Sequence, residues 1–409
     1  MKRLLAFGML VGIAAAAALT ASLQSAQGST PTVPKNIGGV VPTIGHFSPN
    51  AGIPLQYHGG PVMVTNKTYT IYWKPAGYSM QAGYDTTINQ YFTDVAHDSN
   101  MGSNVYAAAT QYYQNPGAVH IQYSSTFGSS VIDTNPFPAS GCPLYGGLPV
   151  CLTDAQIQTE INNVIASKGW VKNSTSQFFM FTAQNVGGCF DSSGGQCAFT
   201  VYCAYHGATN SGAIYANMPY VGHVGGCDEG QYPNGNDADA TLNVTSHEHN
   251  EAITDPQLNA WYDANGNENG DKCAWTFGTV SGPSGSEYNQ TINGRHYFLQ
   301  REWSNANPSD TCVQTYSIGG GGGGGGGGAP TISSFSPMIG HRGATVILTG
   351  THFTGTTKVT LQGVNATYTV NSDTKITTSV PSTAPTGSDK WAVTNASGTG
   401  TATRNFFVY

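Results

Sequence analysis

Ten consecutive glycines, Gly319 to Gly328, constrain this 409-residue chain more than any other stretch. Glycine has no side chain to bury and loses the most backbone entropy on ordering, so such a run fits no core. It predicts a flexible linker with a root-mean-square span of roughly 17 Å. The residues on either side must therefore build separate cores, and the C-terminal unit is expected to move independently.

The unit from 329 to 409 is rich in Thr, Val, Gly and Ser. Six short runs alternate in strand fashion: "ATVILTG", "TKVTLQG", "ATYTVNS", "TKITTSV", "KWAVTNA" and "RNFFVY". Turn residues separate them at the spacing of a small all-β sandwich. With "PTISSFSPMIGHRGATVILTGTHF" and the closing "FFVY", the unit resembles the immunoglobulin-like IPT/TIG family. That resemblance implies a structural or binding module. The unit has neither cysteine nor catalytic cluster, so any chemistry belongs to the other part.

The chain opens with a basic pair, Lys2 and Arg3, then an apolar run from Leu4 to Leu19 and small residues. Residues 1–27 read as a secretory signal peptide, with an uncleaved membrane anchor as the alternative. Residues 28–59 read as an irregular extended lead-in, and 60–318 as the large domain. The net charge is -7, and losing Lys2 and Arg3 makes it more negative. That excludes the basic patches needed for nucleic acid or anionic membrane. No other stretch is long enough to span a bilayer.

All eight cysteines follow the leader: Cys142, Cys151, Cys189, Cys197, Cys203, Cys227, Cys273 and Cys312. An even count in an exported chain predicts disulfides. Many connectivities are possible. Local spacing favours 142–151, 189–197, 203–227 and 273–312.

In the large domain, "KTYTIYW" alternates as a strand, and residues 86–96 and 104–113 have helical spacing. "HIQYSS" (120–125) is strand-like. Thr153 and Gln156 form a capping box ahead of Ile157, Ile161, Val164 and Ile165, with Gly169 as the stop. "SQFFMFTAQ" and "SGAIYANMP" read as strands. "DADATLNVTSHEHNEAIT" reads as a helix that must end near Pro256, and "RHYFLQREWS" as a final strand. The expected class is α+β, a zincin-like mixed sheet with helices, on element order alone.

The stretch "SHEHNEAITDP" (246–256) carries the candidate chemistry. His247 and Glu251 lie one helical turn apart and can share a metal ion. Glu248 is placed as a general base, as in H-E-x-x-H sites, with Glu251 where the second histidine would stand. Zinc accepts carboxylate oxygen. Glu268 and Asp271 are candidates for the third ligand, and His206, His223 and His249 are possible additions. Two plainer alternatives stand beside this. One is a plainly solvated helix face; the other is a Ca²⁺ loop at residues 263–271, with Asp263, Asn265, Asn267, Glu268 and Asp271 as oxygen donors.

Further motifs carry a second resemblance. "LQYHGGPVMVTNKTYTIYW", "FFMFTAQNVGGCF", "CAYHG", "SHEHNEAITDPQLNAWYD", "ENGDKC" and "NGRHYFLQREWSN" resemble the EXORDIUM/phosphate-induced protein family, in a bacterial-type version with an H-E-x-x-E motif. The resemblance implies a secreted, cell-wall-associated protein. It places His206 and the cysteines in the shared scaffold.

Two functions are compatible with these features. One is a secreted zinc-dependent hydrolase, most simply a metallopeptidase acting on a peptide or polymer, with the sandwich as tether. The other is a nonenzymatic extracellular or cell-wall binding protein, calcium-stabilised or not, with a polysaccharide or cell-surface partner.

Overall fold

A computed structural model describes residues 37–45, 53–115, 119–306, 312–318, 329–353, 356–372, 375–395 and 398–409. The predicted signal peptide and the glycine linker lie outside the described residues.

The large domain is built on a six-stranded sheet. In chain order its strands are β1 (Ile37–Pro42), β2 (Asn66–Trp73), β3 (Ser125–Asp133), β4 (Ser176–Thr182), β5 (Tyr202–Ala208) and β6 (Ile214–Met218). Their spatial order is β1-β5-β6-β4-β2-β3. The four strands β6, β4, β2 and β3 are mutually parallel, while β5 runs antiparallel to both β6 and β1. Three helices cover it: α1 (Tyr84–His97), α2 (Asp154–Lys168) and α3 (Ala238–Thr254). Phe179 and Phe181 of β4 pack on the α1 and α3 side, and Phe178 and Met180 on the α2 side. A strand buried on both faces needs an unbroken apolar run, and "FFMF" supplies it.

The mixed sheet with helices expected from the sequence is present, with corrections. The irregular lead-in contains β1, which joins the sheet beside β5. Gly38 and Gly39 interrupt its alternation and hide the strand signal. The strand expected over 120–125 is only the short Val119–His120, and the true ladder begins at Ser125. The helical spacing of 104–113 yields a 3-10 turn over Val105–Gln111. "RHYFLQREWS" breaks into Arg295–Tyr297 and Glu302–Trp303. Helix α2 has its capping box at Thr153 and ends at Gly169 with φ 63°.

Four disulfides form: Cys142–Cys151, Cys189–Cys197, Cys203–Cys227 and Cys273–Cys312. All lie in the large domain, in the pairing that local spacing favoured. Among the described residues, no helix is long and apolar enough to cross a membrane.

The C-terminal unit is a β-sandwich. One sheet pairs Thr331–Ser336, Thr345–Thr351, Lys375–Ser379 and Tyr368–Ser372. Another contains Val364–Asn365, Lys358–Leu361, Trp391–Asn395 and Gly398–Thr401. Between them lies an apolar core around Trp391, Val346, Leu348, Phe353 and Phe406.

Candidate metal centre

Helix α3 decides the site. Its sequence is polar, yet all 17 of its residues are buried. The solvated-face alternative is therefore overturned: sheet, α1 and the returning chain enclose the helix on every side. Pro256 forbids continuation, and Asp255 turns the chain back by accepting from the backbone N–H of Asn259 at 2.6 Å and Ala260 at 2.7 Å. The returning segment closes on the helix where the Asp271 N–H donates to Glu251 Oε1 at 2.7 Å.

Six ionisable side chains meet there. His247, Glu248 and Glu251 come from α3, His206 from β5, and Glu268 and Asp271 from the returning segment. His247 Nε2 lies 3.0 Å from Glu251 Oε1 and 3.6 Å from Asp271 Oδ1. His206 Nδ1 lies 3.2 Å from Glu248 Oε2 and 3.6 Å from Glu251 Oε2, with its Nε2 3.5 Å from Glu268 Oε2. The expected ligands thus fall into two sets that share Glu251: His247, Glu251 and Asp271, and His206, Glu251 and Glu268.

The donor pattern fits a cation. Gln300 Nε2 donates to the Gly270 carbonyl, so its Oε1 faces His247 Nδ1 at 3.1 Å and takes that ring's proton. This leaves the His247 Nε2 lone pair pointing at carboxylates, with no hydrogen-bond partner. His206 Nε2, Glu248 Oε1, Glu251 Oε2 and Glu268 Oε2 are also buried without partners. Orphaned acceptors converging in a buried space are costly unless a positive charge lies between them. A histidine oriented through its other nitrogen is the usual support for a metal ligand.

Protons compete with a cation for these same acceptors. Burial pushes Glu248 and Glu268 well above the usual carboxylate range, and Glu251 to about 7. Burial lowers His206 to about 4 and keeps the ring neutral. Burial also acts to lower His247, but Glu251, Asp271 and Glu248 outweigh it and raise that ring well above its ordinary value.

The enclosing backbone is shaped to this cluster. Gly38 pairs with His206, and the register shifts at Gly39, a bulge with φ 38°. A β-carbon at Gly39 would lie 1.7 Å from Glu251 Oε2 and 2.4 Å from His206 Nδ1. Only glycine lets this strand lie on the carboxylate.

Two expected additions do not join. His249 donates or accepts with Tyr106 at 2.9 Å and Asn66 at 3.0 Å, on the opposite side of α3, and burial holds its ring at about 3. His223 is exposed and pairs with Asp237 at 3.1 Å. The acidic loop over 263–271 is itself hydrogen-bonded as a turn. The Asp263 carboxylate accepts from the N–H groups of Asn265 and Asn267 and from Lys272 Nζ at 3.2 Å, so it closes a turn around a lysine. Glu268 and Asp271 face α3 instead. Gln300 and Glu302, both buried near the cluster, escaped sequence reasoning because "LQREW" carries no ligand spacing.

Residues 330–409 match the IPT/TIG domain family, which confirms the C-terminal assignment. That match does not extend to the large domain, whose likeness to the EXORDIUM family rests on its motifs alone. No curated protein matches the chain. Solved structures show local likeness only. An auxiliary nutrient binding protein from Bacteroides ovatus is 22% identical over 20% of this chain and 21% of its own, with a TM-score of 0.18. SGBP-B from a xyloglucan utilization locus of Bacteroides uniformis is 27% identical over 20% of this chain and 24% of its own, TM-score 0.18. A γ-CGTase from alkalophilic Bacillus clarkii is 21% identical over 30% and 17%, TM-score 0.19. The chain spans a quarter or less of each of these structures. Likeness on that scale carries no argument about function.

Proposed function

We propose that this is an exported, nonenzymatic binding protein whose large domain is organised around a buried divalent-metal centre, with the IPT/TIG domain as a further binding or tethering module. One observation carries this: the side chains of His206, His247, Glu248 and Glu251 have no exposure at all. A centre so enclosed braces the fold, and no polymer chain reaches it in this conformation. His247, Glu251 and Asp271 would hold one ion, and His206 and Glu268 with Glu251 would hold a second. Zinc suits such nitrogen and oxygen donors. The four disulfides support an oxidising, extracellular location.

The test is metal analysis of purified protein. The expected result is one or two equivalents of divalent metal in the wild type, lost in His247→Ala and reduced in Glu268→Gln. Wild-type protein that folds with no bound metal would sink the proposal.

A hydrolase is the second function to weigh, favoured by Glu248, whose Oε1 is unpartnered beside His247. A bound zinc would supply Lewis acidity and acidify a water. Glu248 would then hold the proton, after β1 moved away. Peptide turnover by the wild type that Glu248→Gln abolishes, with the metal retained, would establish it. The scaffold function expects no turnover in either protein.

A further inference from the structure

A second polar feature lies at the carboxyl ends of the parallel strands. After β4 the chain passes to Val186–Cys189, which packs with α2 on one face of the sheet. After the neighbouring β6 it leads to α3 on the other face. Adjacent parallel strands whose continuations part to opposite faces leave a crevice, the usual ligand position in open α/β sheets. Such a crevice is present, a cavity of about 550 Å³. That lies within the common range of ~300–1,000 Å³ for ligand pockets.

Its lining is specific in chemistry. Tyr145, Phe199 and Tyr220 supply aromatic rings, and Gln184 and Asn185 supply amide groups, while both ring nitrogens of His223 are engaged, by Tyr232 and Asp237. Among the described residues, none of its lining side chains is Asp, Glu, Lys or Arg. The Tyr145 hydroxyl is occupied by the Gly188 backbone, donating to its carbonyl at 3.2 Å and accepting its N–H at 3.1 Å. That anchors the half-buried ring at the rim. Behind the lining, Asp237 ties Tyr220 and His223 together, accepting from the tyrosine hydroxyl and lying 3.1 Å from His223 Nε2.

Two further observations mark it as a built site. Asn185, Phe199 and His223 all have left-handed backbones, with φ of 62°, 66° and 61°. For Phe this is a true outlier, and such strain gathers where function requires it. Three of the four disulfides brace the segments that form the rim. Cys142–Cys151 closes the loop bearing Tyr145, Cys189–Cys197 ends two residues before Phe199, and Cys203–Cys227 staples the turn bearing His223. Bracing of this kind reduces the ordering cost of binding.

We infer that this groove binds a neutral, hydroxyl-rich ligand, an oligosaccharide. A pyranose has an apolar C–H face for an aromatic ring and a hydroxyl edge for amide groups. An anionic ligand would find no cation other than a protonated His223. The inference rests on the binding-protein half of the proposed function and is independent of the metal centre.

Calorimetric titration of the full chain tests it, with cellohexaose, xylohexaose and maltohexaose as probes and glucose 6-phosphate as the charged control. At least one hexasaccharide should bind saturably and the phosphate should not. Tyr145→Ala should weaken binding roughly tenfold, while Tyr145→Phe, which keeps the ring but loses its anchor on Gly188, should weaken it less. Binding of none of the three hexasaccharides overturns the inference. So does full affinity in both Tyr145→Ala and Asn185→Ala, which would place the sugar elsewhere, or tighter binding of the phosphate. Metal content measured on the same preparations reports on the buried centre separately. Sugar binding without metal sinks only the metal half.

Discussion

The two folded parts of this chain keep their interiors by opposite means. The sandwich buries Trp391, Leu348, Val346 and Phe406, and among the described residues its charged side chains stay at the surface. The large domain buries His206, His247, Glu248, Glu251, Glu268, Lys272 and Glu302. An apolar interior is stable by burial alone, at about 25 cal/mol per Å² removed from water. A cluster of buried carboxylates is not, because each pays desolvation that only a partner of opposite charge offsets. Lys272 answers Asp263 at 3.2 Å, but the cluster on α3 has only two imidazoles against four carboxylates. The difference teaches why a bound cation, as proposed above, would stabilise the large domain and leave the sandwich unaffected.

That contrast can be broken most directly by chelation. Two unfolding transitions are expected in calorimetry. Metal removal should lower the large-domain transition by about 4 kcal/mol when the ion was present at a thousandfold over its Kd, and by about twice that for two ions. The sandwich transition should not move. Equal shifts in both, or none, would erase the distinction. Trp391→Ala is the converse experiment. It should cost about 3–5 kcal/mol in the sandwich transition alone, with metal content unchanged. Replacing Cys142 and Cys151 together by serine sharpens the comparison within the large domain. Removing so short a cross-link should cost about 2–3 kcal/mol there and leave the sandwich untouched. A loss of metal in that double variant would mean that the rim loop and the buried centre are coupled.

Several features were legible because their causes are local. The capping box at Thr153, the αL stop at Gly169, the apolar "FFMF" strand and the end of α3 at Pro256 all follow from neighbours in sequence. The close cysteine pairs belong to the same class, since short loops confine which thiols can meet. His206 was only a possible addition, because one histidine in an all-buried strand has no periodicity to mark its partner. Strand β1 was missed for a related reason. Its glycines read as a loop, and only the carboxylate beneath Gly39 explains them.

The amino-acid order by itself determined the β-sandwich over 330–409 and the helix that holds His247, Glu248 and Glu251 on adjoining positions. Those depend on backbone entropy and on the periods of helix and strand, which act over a few residues. Tertiary structure alone decided that α3 has no wet face, that the candidate ligands divide into two sets around Glu251, and that the groove opens between β4 and β6. Each of these joins residues far apart in the chain, and long-range packing sets their distances.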